Sequence, residues 1–241
     1  MMDITSSIVV NRNFINKFIE KKIIEKTVFT VQSSKRHLTI IACHLNNHQR
    51  IQNIKQNIQS LSFLNNDIII INSSNLLYNE NVKNEIELLH NIKKYIEIPN
   101  DKWNDFGKWK YALNNIDYSN YDFITFTNDS FLILKPLLFY YNLAVSKNKE
   151  IYGYTSSSEV KYHLQSYLFT IKQDSIYKFK EYLTKKTTQA SAKINAIHLE
   201  LYLLDHFQSY DCFLDIGTFY TNKSKNIFFN NNLYNILYKL H

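Results

Sequence analysis

The chain has 241 residues, of which 45% are hydrophobic, and this length suits one large α/β domain with a sizeable core. Its formal net charge of +7 at pH 7 comes from scattered lysines without an arginine-rich arm, which disfavours nucleic acid as a partner. The two cysteines, Cys43 and Cys212, exclude a disulfide framework and a paired-cysteine metal site.

The sequence also lacks the patterns of membrane insertion and export. No stretch approaches the ~18 apolar residues that a membrane-spanning helix needs. The first residues lack a basic region followed by a long apolar run, so we expect no signal peptide. With two reduced cysteines, these features predict a cytoplasmic protein. Association with a membrane surface, or expression by a virus in a host cytoplasm, stays compatible with that prediction.

Strand and helix patterns alternate through the first half of the chain. After a mixed helical preamble over residues 1–35, four apolar runs are predicted as strands and three segments as helices. The alternation predicts a parallel sheet with right-handed crossovers, and continuously apolar strands indicate helices on both faces. The predicted strands are 37–45, 66–74, 96–99 and 121–127, and the predicted helices are 46–64, 79–95 and 104–116.

The second half of the chain has a mixed pattern without repeats or linkers. We therefore expect a single α/β domain over residues 1–241, with a mostly parallel sheet in residues 36–130 and a mixed half in residues 131–241. The predicted strands of this half are 150–157, 163–172 and 210–220, and the predicted helices are 175–185, 191–208 and the tail 225–240.

Small polar residues follow the predicted strands, where α/β proteins bind ligands. Because the carboxyl ends of parallel strands meet at one edge of a sheet, we expect these residues to share a cleft. They are Cys43 and His44 at the end of the first strand, Asn72, Ser73 and Ser74 at the end of the second, Asn100 and Asp101 after the third, and Asn128, Asp129 and Ser130 after the fourth.

The motif Asn128-Asp129-Ser130 is the candidate for a metal-assisted diphosphate site. A diphosphate bound through Mg²⁺ or Mn²⁺ needs only one or two protein carboxylates, because phosphates and waters fill the other positions. Asp129 is the predicted metal ligand, with Asn128 and Ser130 as supporting oxygen donors. Asp122 lies seven residues earlier, about 23 Å away along an extended strand, and cannot share the ion. The plainer alternative is an Asx turn or a helix cap after the strand.

Three further polar positions suit contacts with hydroxyl groups. Asp105 can accept a hydrogen bond from a sugar or ribose hydroxyl, or it is simply an acid favoured in the first turn of a helix. Gln165 and Ser166 stand near the start of a predicted strand and suit hydroxyl recognition, with an exposed strand end as the alternative. His163 beside them is a weak candidate, because a lone histidine is more often structural than catalytic.

Glu200 is the candidate general base. It stands among leucines in a predicted helix, and burial there would raise its pKa towards the range in which a general base works. The alternative is a glutamate on the solvent-facing side of the helix.

The segments "NDFGKWKYAL", "YDFITFTNDSF", "IYGYTSS" and "HLQSYLFTI" occur in this order between residues 95 and 172. Together they resemble the sequence blocks of the rhamnan synthesis protein F family, which are glycosyltransferases of bacterial and large-virus polysaccharide assembly. The segment around Glu200 resembles a later, fainter block of that family. A single "NDS" carries little weight, whereas the ordered set makes the resemblance specific.

The resemblance implies a GT-A type fold, in which a Rossmann-like half, here residues 36–130, binds a nucleotide sugar. Residues 131–241 would then form the acceptor half. It also implies a UDP-, dTDP- or GDP-sugar donor, with rhamnose the commonest sugar, a glycan or glycolipid acceptor, and Mn²⁺ or Mg²⁺ in many members.

The resemblance also implies roles for individual residues. Asp129 matches the acid that stands in for the usual Asp-x-Asp motif, and Asp105 matches an acid near the donor. Gln165 and Ser166 match the polar pair of the "QS" block, and Glu200 matches the position where such folds often place the catalytic base. One helix-borne base favours an inverting reaction, while a retaining enzyme would not require it.

One departure from the family and two other interpretations stay open. Trp103 stands where the family tends to have glycine, two residues before Asp105, which leaves the donor undecided. The single carboxylate of the "NDS" motif also suits a catalytically degenerate module that binds a nucleotide or a glycan without turnover. The positive charge alone would suit a nucleic-acid-associated domain.

Overall fold

The computed structural model describes residues 34–63, 65–73, 80–89, 91–99, 104–133, 136–158, 160–185, 192–214 and 237–239. Predictions on residues 1–33, Ser74, Asn100, Asp101, Trp103 and most of the tail lie outside these residues. The described strands are β1 (His37–Cys43), β2 (Asn66–Asn72), β3 (Ile92–Glu97), β4 (Phe123–Asn128), β5 (Phe131–Ile133), β6 (Ile151–Ser157), β7 (His163–Leu164), β8 (Leu168–Lys172), β9 (Tyr210–Leu214) and β10 (Leu237–Lys239). The described helices are α1 (His48–Leu61), α2 (Glu80–Glu87), α3 (Asp105–Asn115), α4 (Leu138–Lys147), α5 (Ile176–Lys185) and α6 (Ala192–Tyr202), with 3₁₀ turns at Gln173–Ser175 and Leu203–His206.

The main sheet of the described residues has the strand order β3-β2-β1-β4-β8-β6-β7, and β9 pairs with β6. β1 pairs in parallel with β2 and β4, and β2 pairs in parallel with β3. β8 is antiparallel to β4 and to β6, so β6 runs in the same direction as β1. β5 and β10 form a small antiparallel pair. The predicted α/β fold class with a mostly parallel sheet is confirmed.

Helices cover both faces of this sheet. Neighbouring strand residues point to opposite faces, so Ile41 joins the core formed with α1 and α4, and Ile40 joins the core formed with α3, α5 and α6. Trp109 of α3 packs edge-on against Phe126 and Phe169, with ring centroids 5.8 and 5.4 Å away. Burial on both faces explains why the strands are continuous apolar runs. None of the described helices is long and apolar enough to cross a membrane.

Strand β3 corrects a helix prediction. The helix predicted to run to residue 95 ends at Glu87, and β3 begins at Ile92 instead of at residue 96. Asn91, with a left-handed φ of 68°, precedes the strand. Lys93 and Lys94 are exposed because β3 is the edge strand of the sheet. Lysines on an edge strand disfavour pairing with other chains. In β3 they also interrupt the apolar run from which a strand is predicted.

Three other elements differ from the sequence prediction. The strand predicted over residues 163–172 is divided by a turn into β7 and β8. Helix α4 had no sequence prediction, because it is buried on most of its surface and so lacks an amphipathic period. Residues 237–239 of the tail form strand β10, not helix, because they pair with β5.

Asparagine provides left-handed backbone in this glycine-poor chain. The four described residues with positive φ other than glycine are Asn65, Asn91, Asn104 and Asn148, and no described glycine has a positive φ. Asparagine tolerates this region because its short polar side chain can hydrogen-bond locally. Asn148, for example, ends α4 with a φ of 48°.

Candidate functional site

The carboxyl ends of β1, β2 and β4 lie side by side at one edge of the sheet, here called the carboxyl edge. In the parallel register, Cys43 is paired with Asn72, and Ala42 is paired with Asn128. The residues that follow these strands therefore meet, as the β-α alternation predicted. The expectation that Asn72 and Asp129 lie at the same end of the sheet is confirmed.

The turn before β8 reaches the same edge from the mixed half of the sheet. β8 is antiparallel to β4, and its first residue, Leu168, is paired with Thr127 near the end of β4. The hydroxyl of Thr127 donates a 2.8 Å hydrogen bond to the carbonyl of Tyr167, and the Tyr167 ring lies 5.3 Å from that of Phe131. The Gln165–Tyr167 turn is thereby fixed beside the segment that follows β4.

Asn72 supports the loop between β1 and α1. Its side-chain oxygen accepts a 3.0 Å hydrogen bond from the backbone N–H of Leu45, and its amide donates a 2.9 Å bond to the Tyr95 hydroxyl. The His44 ring nitrogen Nδ1 lies 2.9 Å from the Ser73 carbonyl oxygen. Asn72 and Ser73 are each only 1% exposed, so their side chains hold the loop from beneath.

The thiol of Cys43 lies in the core under this loop. It is fully buried, and its sulfur donates to the carbonyl of Ile71 at 3.6 Å. Burial, followed by the negative charge of Asp129, raises the pKa of Cys43 well above its ordinary value. The predicted ligand contact at Cys43 would therefore have to involve its backbone.

Asp129 is bound to the loop after β1. Its Oδ2 accepts a 2.9 Å hydrogen bond from the backbone N–H of His44 and lies 3.1 Å from Nη1 of Arg50. The same Nη1 donates to the His44 carbonyl at 3.3 Å. The Asp129 side chain is 9% exposed and that of Arg50 is 41% exposed. Arg50 is therefore the accessible member of this ion pair.

Asn128 links the end of β4 to the start of α3. Its Oδ1 accepts hydrogen bonds from the backbone N–H of Ser130 at 3.1 Å and from the Ser130 hydroxyl at 2.6 Å. This is the Asx turn that was the plainer alternative for the motif. The amide of Asn128 donates a 2.8 Å bond to Oδ2 of Asp105. Asn128 therefore orients Asp105 and Ser130, two of the predicted site residues, while Asp129 makes its hydrogen bonds with other residues.

Asp105 is the acid of this region whose pKa is shifted. Lys108, one turn later in α3, is buried, and its Nζ lies 3.5 Å from Oδ1 of Asp105. Burial raises the pKa of Asp105, and although Lys108 and Asn128 oppose that rise, the charge of Asp129 adds to it. An acid with a shifted pKa, close to a second acid and to basic side chains, is typical of functional sites. We call His44, Arg50, Asp105, Lys108, Asn128, Asp129 and Ser130 the Asp129 cluster.

Gln165 and Ser166 lie in the turn before β8, and Ser166 contacts Glu200. The hydroxyl of Thr155 donates a 2.8 Å hydrogen bond to Oε1 of Gln165, and the Gln165 N–H donates to the Thr155 carbonyl at 3.0 Å. The backbone N–H of Ser166 donates to Oε2 of Glu200 at 3.0 Å, and the Ser166 hydroxyl donates to the same oxygen. The structure thus brings Gln165, Ser166 and Glu200, three predicted site residues, to the carboxyl edge. Ser166 and Glu200 are 34 positions apart in the chain.

The expected rise in the pKa of Glu200 is wrong. Burial does act to raise it, but the hydrogen bonds from His163 and Ser166 outweigh burial and hold the pKa below its ordinary value. The Glu200 side chain is 27% exposed, so it is neither sealed in the core nor on an open surface. It is an ionised carboxylate oriented by its neighbours.

His163 has an oxygen atom beside each ring nitrogen. Nδ1 lies 2.7 Å from the carbonyl of Lys161, and Nε2 lies 3.2 Å from Oε1 of Glu200. A carbonyl oxygen only accepts hydrogen bonds, so Nδ1 carries a proton. Nε2 faces the Glu200 carboxylate, so the contact is an ion pair only when Nε2 carries a proton as well. We call His163, Gln165, Ser166 and Glu200 the Glu200 cluster.

Comparisons with known proteins bear on the fold that carries these two clusters. No protein-family model and no curated protein matches the chain. A 4-diphosphocytidyl-2C-methyl-D-erythritol synthase structure from Anaerococcus prevotii DSM 20548 matches with a TM-score of 0.51 and 10% identity, covering 75% of this chain and 87% of that one. A nucleotide-diphospho-sugar transferase structure from Desulfovibrio desulfuricans G20 matches with a TM-score of 0.50 and 11% identity, covering 85% and 94%. The chain has a GT-A-like fold.

The GT-A-like fold agrees with the architecture that the sequence resemblance implied. The likeness at these identities concerns the fold, and membership of the rhamnan synthesis protein F family stays a prediction. Both clusters lie at the carboxyl edge, where open α/β sheets bind their ligands.

The Asp129 cluster does not form a metal centre by itself. Oδ2 of Asp129 already accepts hydrogen bonds from His44 and Arg50, and Asp105 is bound to Asn128 and Lys108. Within the described residues, no three His, Cys, Asp or Glu side chains are grouped so that they could hold a metal ion. The expectation of Mn²⁺ or Mg²⁺ at Asp129 stays a prediction.

The basic members of the site, Arg50 and Lys108, were not predicted from the sequence. Arg50 and Lys108 each stand in the first turn or so of a helix that begins near the carboxyl edge. Arg50 is one of three arginines in the chain and follows the polar end of the first strand by six residues. The position of Arg50 could have indicated a site residue, because a helix that begins after a strand has its N-terminus at the edge where ligands bind.

Proposed function

We propose that this protein is a glycosyltransferase that moves a sugar, rhamnose or another hexose, from a UDP-, dTDP- or GDP-sugar to a glycan or glycolipid acceptor. The observation that carries the proposal is the meeting of the Asp129 cluster and the Glu200 cluster at one edge of a GT-A-like sheet. The description of the Desulfovibrio structure as a nucleotide-diphospho-sugar transferase supports the class of donor.

The Asp129 cluster is suited to the nucleotide diphosphate. It holds the exposed guanidinium of Arg50 on a rigid loop, and such a cation stabilises negative charge that develops on a leaving group. Asp105 is suited to accept a hydrogen bond from a sugar or ribose hydroxyl. Gln165 and Ser166 are suited to hydroxyl groups of the donor sugar or the acceptor. The metal of the sequence prediction would have Asp129 as its protein ligand.

Glu200 is proposed as the general base. The acceptor hydroxyl oxygen forms a bond to the anomeric carbon while the bond from that carbon to the diphosphate oxygen breaks. The electron pair of the broken bond stays on the diphosphate, and Glu200 takes the proton of the hydroxyl. His163 and Ser166 orient the carboxylate, which still has lone pairs for the acceptor. One displacement of this kind inverts the configuration of the sugar.

A second candidate is a GT-A-fold module that binds a nucleotide or glycan without turnover. It is favoured by one observation, the occupation of Oδ2 of Asp129 by Arg50 and His44. The two candidates share the nucleotide site and differ in the use of Glu200.

Thermal-shift measurements with UDP, dTDP, GDP and their sugars test the shared nucleotide site. Stabilisation is expected because a ligand that binds only the folded state raises the unfolding temperature. Release of nucleoside diphosphate from the best donor, even slowly by hydrolysis, is expected for the transferase. Binding without any release over a long incubation with candidate acceptors would favour the binding module. No stabilisation by any nucleotide would reject both.

A further inference from the structure

We propose that Arg50, acting in place of a metal ion, binds the diphosphate of the donor directly. The proposal rests on the proposed function, because it names the group that receives the leaving charge. It departs from the metal prediction because a cation of the protein already stands at Asp129.

The position of Arg50 is fixed by two contacts of a single nitrogen. Nη1 donates to Oδ2 of Asp129 at 3.1 Å and to the His44 carbonyl at 3.3 Å. The Asn47 side chain accepts a 2.9 Å hydrogen bond from the backbone N–H of Arg50 and so holds the first turn of α1 in place. The guanidinium is therefore held at the carboxyl edge from both its tip and its backbone.

Most of the hydrogen-bonding capacity of Arg50 is still available. A guanidinium has five N–H donors, and the contacts made to described residues use only those of Nη1. The donors of Nε and Nη2 belong to a side chain that is 41% exposed. A planar guanidinium of this kind matches the paired oxygens of a phosphate group.

Lys108 is the other cation of the Asp129 cluster, and its position is less suitable. It is 4% exposed, and its ammonium group lies 3.5 Å from Asp105. A ligand would reach it only after displacing that acid. Arg50 is the accessible cation of the two.

A metal ion bound through Oδ2 of Asp129 would compete with Arg50 for that oxygen. An ion on Oδ2 would lie next to the guanidinium, and two cations at such a distance repel each other strongly in a partly buried site. Either the ion displaces Arg50, or Arg50 takes the role of the ion. Asp129 then acts as a positioning residue, which holds the guanidinium where the bond between the anomeric carbon and the diphosphate oxygen breaks.

Calorimetric titration of the full chain with UDP, dTDP and GDP tests the proposal. Each titration is made with EDTA and again with Mn²⁺, and the nucleoside alone is titrated for comparison. The variants are Arg50→Gln, which removes the charge, and Arg50→Lys, which keeps the charge but loses the planar donors. Arg36→Gln is the matched control, because Arg36 lies at the opposite edge of the sheet, over the Tyr121 ring.

We expect the preferred diphosphate to bind wild-type protein equally well with EDTA and with Mn²⁺. Arg50→Gln should weaken that binding about 10- to 100-fold, as for the loss of a charged hydrogen bond, and should leave nucleoside binding unchanged. Arg50→Lys should lose less, and Arg36→Gln should lose nothing. The comparison with the nucleoside separates a lost phosphate contact from a distorted site.

Two results would overturn the proposal while leaving the proposed function intact. One is diphosphate binding that requires Mn²⁺, and the other is unchanged diphosphate binding by Arg50→Gln. If Arg50→Gln does not fold, Arg50→Lys decides, because a metal-bound diphosphate would be indifferent to that exchange. Failure of wild-type protein to bind any of the three diphosphates in either buffer would overturn the proposed function as well.

Discussion

The backbone N–H of His44 donates a 2.9 Å hydrogen bond to Oδ2 of Asp129, and the two residues are 85 positions apart in the chain. This bond joins the loop after β1 to the segment after β4. Arg50 adds a second donor to the same oxygen. The acid that follows β4 therefore helps to hold the β1–α1 loop, together with Asn72 and Ser73.

The ion pair between Arg50 and Asp129 should contribute to stability. We expect a coupling free energy of about 1 kcal/mol in a double-mutant cycle of Arg50→Gln and Asp129→Asn, because Asp129 is nearly buried while Arg50 is partly screened by solvent. Urea unfolding of the four proteins measures it. The exposed pair Lys172–Asp174, 3.0 Å apart, is the control and should show coupling near zero. Additive effects at Arg50 and Asp129 would show that the pair does not hold the loop.

Glu200→Gln should abolish most of the transfer reaction. Glutamine keeps the shape of the side chain but cannot take a proton, so we expect the transfer rate to fall about 10²- to 10⁴-fold. Donor affinity should change little, because the Asp129 cluster holds the nucleotide. Single-turnover transfer and calorimetric donor binding measure the two quantities. A fully active variant would remove Glu200 from the mechanism.

Glu200 should also contribute to the dependence of stability on pH. Its pKa is lower in the folded protein than its ordinary value of 4.5, so the folded state binds this proton less tightly than the unfolded state. The stabilisation is fully present above 4.5 and is lost as the pH falls through the folded-state pKa of Glu200. The destabilisation caused by Glu200→Gln should therefore be largest near neutral pH and shrink below 4.5. Urea unfolding at a series of pH values measures this, and a difference independent of pH would contradict it.

Gly153 should be required for the packing of β7 against β6. A Cβ at this position would lie 2.6 Å from Cδ2 of Leu164, which is fully buried and stands two residues before Ser166. We expect Gly153→Ala to destabilise the protein by about 1–3 kcal/mol, as overpacking does. In a Leu164→Ala background the same change should cost clearly less, because the clashing methyl group is gone. Equal costs in both backgrounds, measured by urea unfolding, would exclude this clash.

The β-α alternation and the polar ends of the strands were determined by the sequence itself. Buried parallel strands require continuous apolar runs, and this local requirement is visible without any knowledge of contacts. From this pattern, Asn72 and Asp129 were predicted to lie at the same edge of the sheet. The same local pattern failed at β3, where exposed lysines of an edge strand resemble a helix surface, and at α4, where burial removes the amphipathic period.

Only the tertiary structure decided which groups act together at the carboxyl edge. Arg50 and Asp129 are 79 positions apart, and nothing in the spacing of either motif indicates that they form an ion pair. The pKa of Glu200 was predicted in the wrong direction because its leucine neighbours in sequence suggested burial alone. The donors that reverse the shift come from His163 and Ser166 in another part of the chain. Electrostatic interactions depend on distances through space, and those distances are set when the sheet brings its strand ends together.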